Sequence, residues 1–420
     1  MEKSLNAQAF SVPHTKENTS VFQKLVLRLL SSMTKGCLRL TLPNGDVKIF
    51  GSDDKTLSAN ITVKNEAFFR RVVLYGDIGF GEAFVEGDWD TDNITNVISW
   101  MILNINTNPV LSGSSSRFSP LNFLKIINKA AHLLRSNSKT GSKDNISRHY
   151  DLNNDFFKLW LDETMTYSSG IELDKSHSLY EAQLRKYDRL CQMLKIKKGD
   201  RVLEIGTGWG GFSIYAAETY GCDVTSVTIS AEQYKYASGL VREKYLEHRV
   251  HIYLKDYREI TGIYDKIVSI EMLEAVGHAF LPKYFSQINK LLAPDGAAGF
   301  QVITSHDANY GQLRKGVDWI QKHVFPGSLL PSVGAINTAV NKTGNLHLHD
   351  LKNFGLDYAL TLRAWREKFN SELENVFKLN FDNAFVRKWN YYLSYCEAAF
   401  AMRNISVVQM IYTRPNNRNL

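Results

Sequence analysis

A glycine-rich loop after an apolar segment is the clearest chemical feature of the sequence. The run VLEIGTGWGG (202–211) starts with four residues typical of a buried strand and continues with glycines at alternate positions. Glycines at a strand end let the backbone approach a ligand and pass into a helix N-terminus. Dinucleotide and S-adenosylmethionine sites share this spacing, so the glycines leave both ligands open. The expected ligand contacts here are Glu204, Gly206, Gly208 and Gly210.

The residues at the ends of the following strands help to distinguish between these two ligands. The second predicted strand ends in SVTIS (226–230), where a ribose-binding Asp or Glu is expected in an NAD site, and this disfavours NAD. Asp256 and Tyr257 follow the third strand, as an acid and an aromatic ring suited to an adenine amino group and its face. Glu271 and Glu274 follow the fourth strand, next to the expected position of a sulfonium.

Strands alternating with helices from residue 195 onward predict the α/β fold class. The predicted strands are RVLEIG, DVTSVTI, VHIYLKD, YDKIVSIEM and AAGFQVIT, with helices between them. This alternation predicts a doubly wound, Rossmann-like domain whose largely parallel sheet binds ligands at the carboxyl ends of its strands. Residues 306–400 are largely helical and aromatic, and some of these rings are expected to line a long apolar pocket.

The first hundred residues predict a small α+β domain. Residues 20–33 have the spacing of an amphipathic helix, and a hairpin is expected around Asn44-Gly45. We expect IGFGEAFVEGDWD (78–90) to be a turn region because of its glycines. The predicted division is an N-terminal domain over 1–110, a basic linker with a helix over 111–148, and the main domain over 149–420.

The basic linker holds most of the excess charge. Residues 117–148 contain seven basic residues and one acid, while the whole chain has a formal net charge of +7. This segment is expected to be either a solvated linker or an arm that binds phosphates or anionic head groups.

Composition limits the classes of partner and of compartment. The positive charge and 12% aromatic residues suit nucleic acid or membrane phospholipid. No segment approaches the roughly 20 apolar residues that span a bilayer, so membrane contact is expected to be peripheral. The four cysteines are far apart, which disfavours disulfides and zinc and favours a reducing compartment. His347, His349 and Asp350 have a metal-like composition without a further ligand group, so no metal site is expected.

Several motifs together resemble the cyclopropane fatty acid synthase and mycolic acid methyltransferase family. They are HYDLNNDFFKLWLDETMTYSSGIE, VLEIGTGWGG, VTISAEQ, DYRE, MLEAVG, VDWIQKHVFPGSLLPS and NFGLDY, in order across roughly 145–415. The segment FFRRVVLYGDIGFGEAFVEGDWD is similar to the accessory domain of the longer members. The resemblance implies a class I methyltransferase domain with a helical lipid-binding insertion, preceded by a domain that positions lipid.

The resemblance also implies a reaction and its cofactor. Family members transfer the methyl group of S-adenosylmethionine to the double bond of an unsaturated acyl chain, and loss of a proton from the new methyl closes a cyclopropane ring. The implied substrate is an unsaturated phospholipid in an anionic membrane, reached from the cytoplasmic face. Beyond Glu204, the glycine loop, Asp256 and Tyr257, the implied cofactor contacts are Tyr167, Ser168, Thr228, Ser230 and Gln233.

The implied catalytic residues include two departures from the bacterial synthases, in which a bound bicarbonate is thought to take the proton. Glu274, Tyr358 and Ile303 match the family positions. Ser169 replaces a cysteine, and Gln301 replaces a histidine. Both can still hydrogen-bond an anion, so bicarbonate remains an expected second ligand. The altered pair also leaves open a methylene- or methyl-branched product.

Two other functions remain open at this stage. One is methylation of nitrogen or carbon in a small molecule. The other is a non-catalytic protein that binds lipid or nucleic acid, which the presence of Glu204, Glu274 and Tyr358 disfavours. The basic linker lacks the interleaved aromatics of a base-stacking surface, so nucleic acid is not an expected partner. The oligomeric state stays open, a homodimer included.

Overall fold

The N-terminal part of the chain is a small sheet packed against helices. The computed structural model describes residues 20–52, 57–104, 153–175 and 178–420, so the predicted linker over 111–148 lies outside the described residues. The elements are α1 (Val21–Ser31), β1 (Cys37–Thr41), β2 (Val47–Gly51), β3 (Ser58–Val63), α2 (Ala67–Val85), β4 (Trp89–Asp90) and α3 (Ile94–Asn104). The strand order is β2-β1-β3-β4, and β1 and β2 form the hairpin predicted around Asn44-Gly45.

The turn region predicted over 78–90 is wrong for most of its length. Residues 78–85 are helical and end α2, which kinks at Gly76, where φ is 60°. The glycines of this segment serve close packing: a Cβ built on Gly81 would lie 2.5 Å from Cδ1 of Trp319. The sequence pattern misled because the partner that requires a glycine lies more than two hundred residues away along the chain.

A seven-stranded sheet organises the larger part of the chain, as the α/β pattern predicts. Its strands are β5 (Arg201–Ile205), β6 (Asp223–Thr228), β7 (Val250–Leu254), β8 (Tyr264–Ile270), β9 (Leu292–Ser305), β10 (His347–Asn353) and β11 (Ile405–Thr413). The order is β10-β11-β9-β8-β5-β6-β7, in which the strands from β9 to β7 pair in parallel. β10 and β11 add an antiparallel edge, and β11 was not anticipated from the sequence.

Helices connect these strands and cover the sheet. They are α4 (Asn154–Lys158), α5 (Leu179–Met193), α6 (Gly211–Tyr220), α7 (Ala231–Glu243), α8 (Leu281–Leu291), α9 (Asp307–Leu313), α10 (Trp319–His323), α11 (Val333–Asn341), α12 (Gly355–Ser371), α13 (Leu373–Lys378) and α14 (Asn383–Ala401). The predicted helical, aromatic segment corresponds to α9–α14, interrupted by β10. Within the described ranges, no helix has both the length and the apolar character that crossing a bilayer requires.

One aromatic core joins the N-terminal module to the helices that follow β9. Trp89 and Trp100 belong to the same buried cluster as Trp160, Trp365 and Trp389. A polar contact crosses the same boundary, since the hydroxyl of Thr95 on α3 lies 3.2 Å from the buried carboxylate of Glu397 on α14. Shared burial of this kind fixes the N-terminal module against the α/β domain.

Candidate active site

A cavity of about 1010 Å³ opens at the carboxyl ends of β5, β6 and β8. Twelve of the sequence-predicted site residues line it: Tyr167, Ser168, Glu204, Gly206, Gly208, Thr228, Gln233, Asp256, Tyr257, Glu274, Ile303 and Tyr358. Four others, Ser169, Gly210, Ser230 and Gln301, are absent from the lining. The parallel strands therefore bring together residues from distant parts of the sequence, as expected for a site at their carboxyl edge.

The glycine loop forms one wall of this cavity. Gly206, Gly208 and Gly210 have φ values of 100°, 54° and 94°, a left-handed conformation that favours glycine. A Cβ on Gly208 would meet no heavy atom within 4 Å, whereas one on Gly210 would lie 3.2 Å from Ala237. Gly208 thus borders open space, and Gly210 makes the turn that starts α6.

Glu204 is buried behind the glycine loop and forms hydrogen bonds with two neighbouring elements. Its Oε2 accepts hydrogen bonds from the hydroxyls of Ser213 on α6 and Ser226 on β6. Burial raises the pKa of this carboxyl to about 7, although the two hydroxyls counteract the shift. The geometry shows that Glu204 fixes the loop between β5, β6 and α6, while its predicted contact with the methionine end of the cofactor stays a prediction.

The end of β6 presents a second polar group to the cavity. Ser230 caps α7 by accepting a hydrogen bond from the backbone N–H of Gln233 at 3.3 Å. Thr228 donates from Oγ1 to Oε1 of Gln233 at 2.9 Å and accepts from the backbone N–H of Ser230. Ser230 therefore orients the two lining residues without lining the cavity itself.

One of the predicted adenine contacts, Asp256, forms an ion pair with Arg258. Arg258 donates to both carboxylate oxygens of Asp256, at 2.8 Å from Nε and 2.6 Å from Nη2. The Tyr257 ring packs edge-on against Tyr284, with centroids 5.1 Å apart. The bidentate pair holds Asp256 in one orientation at the cavity wall. Its role toward adenine stays a prediction.

The carboxylate of Glu271 is the point on which three donors converge. Its Oε1 accepts from the backbone N–H of Ser169 at 2.9 Å and from Nε2 of Gln301 at 2.8 Å. Its Oε2 accepts from the hydroxyl of Tyr358 at 2.7 Å. The Ser169 hydroxyl itself donates elsewhere, to the carbonyl of Gly170 at 2.7 Å. Three of the residues predicted to hold an anion thus donate to a side-chain carboxylate of this chain.

A fully buried lysine lies behind the carboxyl corner, the name used here for Glu271 and Glu274. Lys186 on α5 donates from Nζ to Oγ of Ser168 at 2.6 Å and to Gln183. Burial lowers the pKa of Lys186 to about 7, and the negative charge of Glu271 opposes that shift. Burial raises the pKa of Glu271, while the Lys186 ammonium and its hydrogen-bond donors favour the ionised form. The two charges compensate each other in the interior.

Glu274 is the second carboxyl of this corner and has a different environment. Its Oε1 accepts from the backbone N–H of Ile303, and its buried Oε2 has no hydrogen-bond partner among the described residues. Burial, with the negative charge of Glu271, raises the pKa of Glu274 to about 8. A carboxyl with that pKa is mostly protonated at neutral pH.

Aromatic rings line the cavity beyond the carboxyl corner. Tyr167 and Tyr392 share a hydrogen bond of 2.6 Å between their hydroxyls, and the rings of Tyr392 and Phe325 are 5.9 Å apart. The Tyr358 ring packs against Phe400 with centroids 4.5 Å apart. Exposed polar residues then complete the lining toward solvent: Lys35, His306, Asn309 and Arg403.

Sequence reasoning placed Glu271 at the sheet edge but gave it no catalytic role, and it missed Lys186 and Lys35. Glu271 could have been found from its motif, because it directly follows β8 and lies three residues before Glu274. Lys186 lies on an amphipathic helix and carries no local signal. Lys35 comes from the N-terminal module, so its position at the cavity depends on tertiary packing. Among the described residues, no group of three or more potential metal ligands occurs, and all four cysteines are free.

A family model supports the classification suggested by this geometry. Residues 137–410 match the model described as mycolic acid cyclopropane synthetase, which is more than half of the chain. The chain belongs to this family. Its glycine loop and both cavity glutamates, Glu271 and Glu274, lie within the matched range.

Similar proteins give the family assignment more detail. The chain is 37% identical over 387 residues to the tuberculostearic acid methyltransferase UfaA1 of Mycobacterium tuberculosis, with 90% of this chain and 88% of the relative covered. It is 36% identical over 358 residues to the cyclopropane-fatty-acyl-phospholipid synthase of Escherichia coli K12, with coverages of 85% and 88%. The mycolic acid cyclopropane synthase CmaA1, solved with SAH and CTAB, has a TM-score of 0.60 and 27% identity, and the match covers 65% of this chain and 98% of that structure.

This family member is therefore an S-adenosylmethionine-dependent methyltransferase that acts on fatty acyl or lipid chains. The cavity suits the cofactor, because Gly208 borders open space and polar side chains stand at the ends of three neighbouring strands. Hydrogen bonds within the protein hold Glu204, Gln233 and Asp256 in place.

Proposed function

We propose that this enzyme methylates the double bond of an unsaturated acyl chain in a membrane phospholipid and forms a cyclopropane ring. The observation that carries the proposal is the junction of two environments in one cavity. A glycine loop and polar strand ends lie on one side, and a carboxyl corner followed by aromatic rings lies on the other. An acyl chain needs the apolar side, and a methyl donor needs the polar side.

The aromatic rings suit the charge that develops during this reaction. S-adenosylmethionine supplies an electrophilic methyl group, and its transfer to the double bond leaves a carbocation on the acyl chain. The rings of Tyr167, Phe325 and Tyr392 line the cavity and offer their faces to such a cation. Cation–π attraction contributes about 2 kcal/mol when the cation is desolvated. Burial holds the pKa of Tyr358 and of Tyr392 well above the usual range, so both phenols are neutral hydrogen-bond donors.

The cavity rim supports a phospholipid as the carrier of the acyl chain. Lys35 and Arg403 are exposed lining residues, and their charges suit a phosphate head group while the chain extends inward past the aromatic rings. The similar structure of CmaA1 holds CTAB, an alkyl chain with a charged head. On this basis the enzyme would act at the cytoplasmic face of a membrane as a peripheral protein.

Mass spectrometry of membrane fatty acids tests the proposal in cells. Cells that express the protein should accumulate acyl chains heavier by one methylene than their unsaturated precursors, and NMR should show cyclopropane protons. Purified protein with labelled S-adenosylmethionine and unsaturated vesicles should give the same product. Label that remains outside the lipid fraction would favour a small-molecule acceptor and contradict the proposal.

A methylene-branched product is the second candidate. Two observations favour it: the similarity to a tuberculostearic acid methyltransferase, and the presence of Ser169 and Gln301 where the bacterial synthases have cysteine and histidine. In that reaction, a hydride shift moves the cation before the proton leaves, and the electron pair forms an exocyclic double bond. Vinylidene protons in the NMR spectrum of the product would identify it in place of the ring.

A further inference from the structure

We propose that the carboxylate of Glu271 occupies the anion position of this active site and accepts the proton, so that the enzyme needs no bicarbonate. This inference rests on the proposed function and names the base for it. The residues implied to hold bicarbonate are Glu274, Tyr358, Ile303, Ser169 and Gln301. Three of them, Ser169, Gln301 and Tyr358, donate hydrogen bonds to the carboxylate of Glu271.

The donors that a bound anion would need are already engaged. The N–H of Ser169 and the amide of Gln301 lie 2.9 Å and 2.8 Å from Oε1 of Glu271, and the hydroxyl of Tyr358 lies 2.7 Å from Oε2. The other end of the Gln301 amide accepts from Gln409 at 3.0 Å, which fixes the orientation of the amide as a donor toward Glu271. A second anion would lack these donors and would face the charge of Glu271.

The backbone of Glu271 points to the same conclusion. Its φ is 49°, a left-handed conformation that costs free energy for a residue with a side chain. Its N–H donates to the carbonyl of Gln301 at 2.7 Å, which holds this conformation at the end of β8. Glycine would adopt it without strain. A glutamate here places its carboxylate at the cavity wall, beside Glu274, Ile303 and Tyr358.

Glu271 and Glu274 differ in a way that assigns the base to Glu271. Three donors contact the carboxylate of Glu271, and Lys186 adds a positive charge behind it. Within the part of the chain that the structure describes, Glu274 has one backbone donor and its other oxygen is buried without a partner, which suits a protonated carboxyl. The ionised group is therefore Glu271, and Glu274 is a neutral carboxylic acid in the cavity wall.

Glu271 supplies the base that ring closure requires. After methyl transfer, a C–H bond of the new methyl breaks, and its proton goes to the free lone pair of Oε2 on Glu271. The electron pair of that bond forms the third carbon–carbon bond of the ring and quenches the cation. Glu271 leaves the step as a carboxylic acid and returns its proton to solvent before the next turnover.

Bicarbonate binding tests the anion position without any lipid substrate. Calorimetry with sodium bicarbonate should detect no binding to the wild-type enzyme and clear binding to Glu271→Gly, which keeps the backbone conformation and vacates the carboxylate. Thermal unfolding and S-adenosylmethionine affinity of the variant serve as controls for folding. Bicarbonate binding to the wild type, or none to the folded Glu271→Gly variant, would overturn the inference.

Turnover on unsaturated vesicles tests the proton transfer. The wild type should keep its rate in buffer freed of carbon dioxide, and Glu271→Gln should lower kcat by about a hundredfold or more. Bicarbonate should raise the rate of Glu271→Gly by about tenfold or more and leave Glu271→Gln unchanged. A wild-type rate that falls about tenfold without bicarbonate contradicts the inference, whereas a wild type that methylates no lipid contradicts the proposed function.

Discussion

The hydroxyl of Tyr358 donates a hydrogen bond to Oε2 of Glu271 over 2.7 Å, joining helix α12 to the end of strand β8 inside the cavity. Burial keeps the phenol neutral, so it remains a donor throughout the physiological pH range. The bond stabilises the ionised carboxylate and holds it toward the aromatic part of the cavity.

Removing this hydroxyl should slow the reaction and change its pH profile. In Tyr358→Phe, one donor to the carboxylate is lost, so the pKa of Glu271 rises and the active, ionised form appears at higher pH. We expect kcat at neutral pH to fall by about tenfold, and the acid limb of the pH profile to shift to higher pH. Tyr412→Phe is the matched control, because it removes a 2.7 Å hydrogen bond to Asn337 outside the cavity lining. An unchanged acid limb in Tyr358→Phe would count against this role.

The raised pKa of Glu274 should appear in the stability of the protein. Its folded pKa of about 8 lies above the usual value of 4.5, so the folded state gains protons relative to the unfolded chain between these values. This contribution to stability is fully present below the unfolded pKa and is lost as pH rises through about 8. Glu274→Gln should therefore lose less unfolding free energy than the wild type from about pH 6 to about pH 9.

Chemical denaturation at several pH values measures this difference. The exposed Glu367 on α12 provides a control, and Glu367→Gln should follow the wild-type pH dependence. Parallel pH curves for the wild type and Glu274→Gln would show that Glu274 has no raised pKa in the folded enzyme.

A methyl group on the glycine loop should weaken cofactor binding. Gly208 has a φ of +54° and borders open cavity space, so Gly208→Ala both strains the loop and fills part of the site. We expect a stability loss of about 1 kcal/mol and a dissociation constant for S-adenosylmethionine raised about tenfold or more. Gly199→Ala is the matched control, because Gly199 has a φ of +86° and its substitution has a similar backbone cost. A Cβ there would meet no described atom within 4 Å, and Gly199 lies outside the cavity lining. Equal affinities of the two variants, measured by calorimetry, would rule out a loop contact.

Positive charge at the cavity rim should contribute to membrane binding. Lys35→Gln and Arg403→Gln remove exposed charges from the lining, and each should weaken binding to anionic vesicles about fivefold at low ionic strength. Salt should diminish the difference, because it screens exposed charges. Lys244→Gln is the control, since that lysine pairs with Glu218 on the surface away from the cavity. Co-sedimentation with vesicles measures binding, and equal losses for all three variants would show a general charge effect.

Much of the fold could be predicted from the sequence because its signals are local. Strands β5, β8 and β9 are largely buried, and the glycine loop follows the strand that positions it. The direction of α2 through Gly79 and Gly81 could not be predicted, because the tight approach to Trp319 involves a distant segment. Strand β11 follows a helical segment, and its pairing with β9 and β10 is equally non-local.

The candidate site also has features that local sequence motifs predict and features that depend on contacts between distant residues. Motifs located the residues that line the cavity, including Gly208, Glu274 and Tyr358. They could not show that the Ser169 hydroxyl turns to a backbone carbonyl, or that Gln301 points its amide at Glu271. The contact of Gln301 with Glu271 joins residues 30 positions apart, and that of Tyr358 with Glu271 joins residues 87 positions apart, so both depend on tertiary packing.

Transfer of a trideuterated methyl group to lipid shows directly whether this enzyme forms a cyclopropane ring at an acyl double bond. The purified enzyme would be incubated with S-adenosylmethionine carrying three deuterium atoms on its methyl group and with vesicles of dioleoylphosphatidylglycerol. The account predicts acyl chains that gain one carbon and retain two of the three deuterium atoms, with cyclopropane signals in the NMR spectrum. Acyl chains that retain all three deuterium atoms, or label that never enters the lipid, would contradict it.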